Sequence, residues 1–149
     1  LKHETKVWFE ITTLLIPGQN DSDHELGRMS EWIAKELGTD VPLHFTAFHP
    51  DYKMTSLPPT PPATLTRARN IARAAGLQHV YTGNVHDVAG GTTHCASCHS
   101  KLIVRDWHLI REYKVTEEGA CPQCGTSVAG HFEKFENQFG RQRIPVIIA

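Results

Sequence analysis

Apolar and polar positions alternate with helix-like and strand-like periods through the first part of the chain. Residues 7–16, VWFEITTLLI, form a nearly continuous apolar and β-branched run, which predicts a strand buried on both faces, as in parallel sheets. Pro17-Gly18-Gln19-Asn20-Asp21 ends it with turn chemistry. Ser22 stands three residues before Glu25, the spacing of a capping box. Leu26, Met29, Ile33 and Leu37 then share one helical face up to Gly38, which predicts a helix over 22–37 closed by a glycine cap.

Leu43–Phe48 predicts a second strand, followed by the loop His49-Pro50-Asp51-Tyr52-Lys53-Met54. After a proline-rich stretch, Thr60 is placed as N-cap with Pro61 at the first helical position. Leu65, Ala68, Ile71, Ala72 and Ala75 line a second helix that Gly76 stops, and His79–Thr82 make a third strand. The order β-α-β-α-β with short loops predicts a parallel sheet with crossover helices over residues 1–87. Three such strands leave edges that call for partners. Together with an opening Leu1-Lys2-His3 that has no Met, this predicts the back part of a larger α/β domain rather than a small complete one.

The pattern changes after Val85. Gly90-Gly91 predicts a flexible junction, residues 101–113 (KLIVRDWHLIREY) a short hairpin, and residues 88–130 a second module. The tail, 131–149, carries Phe132, Phe135 and Phe139 at helical spacing and then the strand-like Ile144-Pro145-Val146-Ile147-Ile148.

Charge narrows the partners. Lys and Arg number 15 against 16 Asp and Glu; residues 1–87 hold 8 basic and 10 acidic side chains, residues 88–149 hold 7 and 6. Neither part has the basic excess that binds a phosphate backbone, so no nucleic-acid partner is expected. No apolar run reaches the ~18 residues of a membrane span, so no membrane partner is expected either. Four cysteines are too sparse for a disulfide scaffold, and no signal-like segment opens the chain, which predicts a cytoplasmic setting.

The strongest chemical signal is Cys95-x2-Cys98 and Cys121-x2-Cys124, separated by 22 residues. Each CxxC turn offers two thiolates to one ion, and the hairpin between them can bring the turns together. Four thiolates suit a closed tetrahedral zinc site of the zinc-ribbon type. Gly125, after the last cysteine, accepts the positive φ that aims backbone N–H groups at sulfur; His99 occupies the matching place after Cys98, and histidine tolerates that geometry better than most residues. Iron on the same four thiolates, two disulfides, and a c-type haem attached at Cys95-Ala-Ser-Cys98-His99 are the alternatives. His3, His24, His79, His86 and His108 read as surface or supporting residues, and His44 as a satisfied core histidine on a strand.

The segments TTLLIPGQNDS (12–22), PLHFTAFHPDYKM (42–54), LPPTPPATLTRARNIARAAGL (57–77) and HVYTGNV (79–85), followed by paired CxxC knuckles, resemble the C-terminal portion of the AmmeMemoRadiSam-system radical SAM enzymes, relatives of pyruvate formate-lyase activating enzyme. The resemblance implies the last strands of a partial (β/α) TIM-like barrel followed by a zinc-ribbon-like module with four cysteine ligands. It implies an enzyme that cleaves S-adenosylmethionine reductively with a [4Fe-4S] cluster held on a CxxxCxxC loop, acting on a protein or small-molecule substrate. This chain contains no CxxxCxxC, so it is expected to be inactive alone. The resemblance further implies that His49, directly after the second strand, contacts S-adenosylmethionine, with Thr12 a weaker candidate for the same pocket. Independently, ligands in parallel α/β folds sit at the carboxyl ends of strands, where Asp21, His49, Asp51, Tyr52 and Lys53 fall. A zinc-ribbon interaction module on a small α/β domain, binding a protein partner, is the competing reading.

Overall fold

A computed structural model of the chain describes residues 2–132. The order is β1 (Ile11–Leu15), α1 (Asp23–Trp32), a π-helical turn (Ile33–Leu37), β2 (Leu43–Ala47), α2 (Pro62–Ala74), β3 (Val80–Gly83), α3 (Val88–Gly91), β4 (Thr93–His94), β5 (Lys101–Asp106) and β6 (Leu109–Tyr113). The fold is mixed α/β with two sheets: β1-β2-β3, all parallel and hydrogen-bonded in chain order, and β4-β5-β6, antiparallel. Phe135, Phe139 and the strand expected at 144–148 lie outside the described residues. Among the described residues, no helix is long and apolar enough to cross a membrane.

The first sheet has one buried face, not two. Register pairs Ile11 with Leu43 and Leu43 with Val80, and in the same way Thr12 with His44 and His44 with Tyr81. With side chains alternating along each strand, Leu15, Leu43, Phe45 and Val80 face the helices and join Leu26, Ile33, Leu65, Ala68 and Ala72 in one core. The opposite face carries Thr12, Leu14, His44, Thr46 and Tyr81. Leu14 is 43% exposed and Val7, ahead of the strand, 64% exposed. The expectation of double-sided burial for 7–16 is therefore corrected: a run of apolar residues does not reveal which face is covered, and both crossover helices lie on the same side.

Helix α1 starts as the capping box requires, with the Glu25 N–H donating to Ser22 Oγ at 3.3 Å. Its end widens into π-type bonding, where the Gly38 N–H donates to the Ile33 carbonyl five residues back at 3.1 Å, and Gly38 leaves at φ 106. At α2 the expected cap is displaced by one residue: Pro61 is the N-cap and Pro62 the first helical residue. Thr60 is instead buried beneath the sheet's carboxyl end. Its hydroxyl donates to the Leu15 carbonyl and accepts from the Phe48 N–H, tying the ends of β1 and β2 together.

Gly90-Gly91 is a packed helical turn rather than a flexible junction. Asp87 caps it, accepting from the Gly90 N–H at 2.9 Å and from the Thr82 hydroxyl at 2.9 Å. A Cβ on Gly90 would stand within 3 Å of both those side chains, so glycine is required by close approach. Tyr81 Oη bonds Thr93 Oγ1 at 2.9 Å, and Arg105 Nη1 donates to Thr93 Oγ1 and to the Gly91 carbonyl. These contacts join the parallel sheet to the cysteine-bearing sheet.

Candidate metal centre

The two CxxC turns are copies of one another. The Cys95 N–H donates to the Ser100 carbonyl at 2.9 Å, and the His99 N–H to the Cys95 carbonyl at 3.1 Å. In the second turn the Cys121 N–H donates to the Thr126 carbonyl and the Gly125 N–H to the Cys121 carbonyl, both at 2.9 Å. His99 and Gly125 are left-handed at φ 60 and φ 73, as the sequence positions require. Between the turns the expected hairpin forms as β5 and β6, its tight end at Trp107, which is also left-handed. The small strand β4 leads into the first turn and pairs with β5, a feature the sequence did not flag.

All four sulfur atoms lie within 4.8 Å of one another. Cys95 and Cys124 are 3.5 Å apart and Cys98 and Cys121 3.7 Å apart, across the two turns, and the cysteines are free thiols. An ion ~2.3 Å from four tetrahedrally placed thiolates sets the sulfurs about 3.8 Å apart. The donor set and its spacing therefore fit a single metal ion with every coordination position filled by protein. Cys95 and Cys121 are buried, in a small core with Leu102, Ile103 and Val115.

Hydroxyls line the sulfurs. Ser100 Oγ is 3.2 Å from Cys98 Sγ and 3.3 Å from Cys121 Sγ, bridging the two turns, while Thr126 Oγ1 is 3.3 Å from Cys124 Sγ. The Ser100 hydroxyl holds the Cys121 thiol down at about 6, and Thr126 lowers Cys124. Burial pushes Cys95 up to about 11. Hydroxyl hydrogen bonds thus favour the thiolate at Cys121 and Cys124 while burial opposes it at Cys95, and a bound cation would favour thiolate at each.

The other sequence candidates stand on the parallel sheet and in its loops. Thr12 stands on the open sheet face, level with His44. His49 is exposed and lies two residues past the end of β2. Asp21 accepts from the Gly18 N–H and Asp51 from the Tyr52 N–H, so both act as turn residues. Lys53 lies over the Tyr52 ring, itself 82% exposed.

One histidine expectation is corrected. His79, read as a surface or supporting residue, is buried, and desolvation lowers its pKa below the ordinary imidazole value. His44 is not in the core but half-buried on the open face, bonded through Nε2 to Glu10 at 2.8 Å and tilted against Tyr81. Glu10 was not singled out in the sequence; its alternation with Trp8 and Thr12 on one face is the signal that could have found it.

Over 126 residues the chain is 46% identical to an uncharacterized protein of Methanocaldococcus jannaschii, MJ0808. The match takes in 82% of this chain but 37% of that relative's length. No protein-family model matches the chain, and no solved structure matches it.

Proposed function

We propose that this chain is the C-terminal portion of a radical SAM enzyme resembling the glycyl-radical activating enzymes, and that its four cysteines hold one structural zinc ion. The observation that supports the first part is the sheet. Its three parallel strands neighbour one another in chain order, with both crossover helices on one face, as successive strands of a (β/α) barrel do. The opposite face, with Thr12, His44, Thr46 and Tyr81, has the mixed polarity of a barrel interior. A match to about a third of a longer relative agrees with a part of a larger α/β domain.

In this reading the cluster that reduces S-adenosylmethionine is bound by other residues of the whole enzyme, because Cys95, Cys98, Cys121 and Cys124 already fill one tetrahedral site. His49, exposed at the carboxyl end of β2, is available to hydrogen-bond the adenosine edge, since Pro50 keeps its backbone extended and neutral imidazole both donates and accepts. Four free thiols support a reducing, cytoplasmic compartment.

The test is a longer protein carrying a CxxxCxxC loop, reconstituted anaerobically with iron, sulfide and dithionite. It should release 5′-deoxyadenosine from S-adenosylmethionine, and the present chain should not. A gene product without such a loop, or a reconstituted protein that leaves the sulfonium intact, removes the enzyme reading. One zinc per chain on metal analysis supports the second part; iron in its place overturns it.

A second reading, a zinc-ribbon interaction module on a small α/β domain that binds a protein partner, is favoured by one observation. Strand β6 is exposed throughout and, with Trp107, presents Leu109, Ile110 and Tyr113 to solvent. That reading stands if no cluster loop is encoded.

A further inference from the structure

The two CxxC turns share their hydrogen bonds but not their exposure. In the first, Cys95 is buried and Cys98 half-buried. In the second, Cys121 is buried at 1% exposure, whereas Cys124 is exposed. Pro122, Gln123 and Gly125 around it are exposed as well, and a Cβ built on Gly125 would meet nothing within 4 Å. Solvent therefore reaches the four-cysteine cluster chiefly at Cys124.

The sulfurs also fall into two pairs across the turns. Cys98 and Cys121 stand 3.7 Å apart and share the Ser100 hydroxyl. Cys124 stands 3.5 Å from Cys95, so this pair joins the exposed sulfur to a buried one. Cys98, Cys121 and Cys124 each have a hydroxyl neighbour, Ser100 for the first two and Thr126 for the last. Hydrogen bonding thus does not set Cys124 apart; exposure and its near neighbour do.

We propose that Cys124 is an oxidation site at which a peroxide enters the cluster, and that Cys95 resolves it by forming a disulfide. The proposal rests on the reading that these four cysteines hold one zinc ion, since coordination keeps both sulfurs as thiolates. Cys124 Sγ attacks one peroxide oxygen, the O–O bond breaks, and hydroxide leaves behind a sulfenic acid. Cys95 Sγ then attacks the Cys124 sulfur; the S–S bond forms, the S–O bond breaks, and a second hydroxide leaves. Two thiolates have lost two electrons and the peroxide has gained them. Cys95 needs no contact with solvent for its step, because the sulfur it attacks already lies beside it. Two of the four ligands are consumed, so the ion is released to a competing chelator. The new bond links residues 95 and 124, so the two turns stay joined while the metal is lost, and a dithiol with added zinc restores the site.

The full chain, isolated anaerobically with its metal, is treated with hydrogen peroxide in the presence of a chromogenic chelator. Remaining thiols are alkylated, and the linkage is assigned by tandem mass spectrometry without reduction. The expected product carries a Cys95–Cys124 disulfide with Cys98 and Cys121 alkylated, and one disulfide forms per ion released. In untreated protein, limiting N-ethylmaleimide should label Cys124 first, a measurement that needs no variant. Cys124→His keeps four ligands but removes the entry point, and should slow peroxide-driven metal release about tenfold. A disulfide within either CxxC turn, first labelling at another cysteine, or release from Cys124→His at the parent's rate overturns the proposal. Metal analysis before treatment tests the zinc reading separately, because the linkage map reads sulfur alone and decides this proposal whichever ion is bound.

Discussion

The two halves of the molecule reach a fixed structure by different means. The hydrophobic core of the parallel-sheet half gathers eleven buried residues, from Leu15 to Val80, all of them hydrocarbon side chains packed between one sheet face and two helices. The cysteine half encloses five, and two of those are Cys95 and Cys121. Three hydrocarbon residues do not offset the chain entropy of the more than thirty residues from β4 to the second turn. A metal ion that draws both turns together does, because its binding energy is at the same time folding energy. Burial dominates the first half, whereas the second pairs a small core with a four-cysteine group that could hold a metal ion.

The largest effect should therefore come from the metal. Stripping it with a strong chelator, or replacing Cys121 by Ser, should collapse amide protection across residues 93–128 while the core amides of β1, β2 and β3 remain protected. Structural zinc sites contribute on the order of 10 kcal/mol in isolated ribbons, far more than the small core here can replace. Hydrogen exchange with and without chelator checks this. Protection in β5 that survives chelation would show that the second half has a core of its own.

The mirror experiment removes burial from the first half. Phe45 is fully buried at the centre of the sheet, against both helices. Phe45→Ala should cost ~3–5 kcal/mol of stability in that half, as large-to-small core changes do. Metal content should stay at one ion per chain, since Phe45 belongs to the first core and not to the cysteine core. Chemical denaturation followed by helix signal, alongside metal analysis, separates the two outcomes. Loss of metal together with helix would make the halves one cooperative unit.

Acid should also separate them. His79 stands just before β3, is buried, and has its pKa lowered from the ordinary value of 6.5, chiefly by desolvation; Asp40 opposes that shift. A base with a depressed folded pKa contributes stability that is present above its unfolded pKa. That stability is lost as pH falls through the folded value, where protonation pulls the chain open. The parallel-sheet half should therefore weaken as pH drops below 6.5, and His79→Gln should flatten that dependence. Denaturation midpoints of both proteins at neutral and mildly acidic pH, with metal in excess, check it; parallel curves would exclude His79 as the source.

The same contrast explains what the amino-acid pattern revealed. The four-cysteine cluster was legible almost completely, because two CxxC turns at a hairpin's spacing leave little freedom: the gathered sulfurs, the hairpin, and left-handed His99 and Gly125 all follow from local chemistry. The helices and strand order were legible from periodicity and caps. What escaped depends on tertiary placement. The 7–16 run could not show that its second face stays open, since that is decided by which side the helices take. Thr60 has the chemistry of a cap and is used as a tie between strand ends. The bond between Glu10 and His44 joins residues 34 positions apart and has no local signature at all.

The smallest expected effect lies inside the cysteine half, where the two turns place different residues at the same left-handed position. Gly125 and His99 hold the same place at nearly the same φ. A Cβ on Gly125 would meet nothing within 4 Å, so Gly125→Ala introduces backbone strain and no clash. Left-handed geometry costs an L-residue roughly 1–2 kcal/mol and the loss of glycine's unfolded freedom offsets ~0.5–1 of it, so Gly125→Ala should loosen the second turn by about 0.5–1 kcal/mol. His99 already bears part of this cost, and His99→Gly relieves it. Glycine's greater freedom in the unfolded chain returns ~0.5–1 kcal/mol in the opposite direction, so the net gain should be a few tenths. Competition with a chromogenic chelator orders the three proteins: His99→Gly holding metal slightly more tightly than the parent, Gly125→Ala distinctly less. Should His99→Gly be the weaker binder, the imidazole supports the first turn through more than its backbone, and the two turns are not equivalent in what holds them.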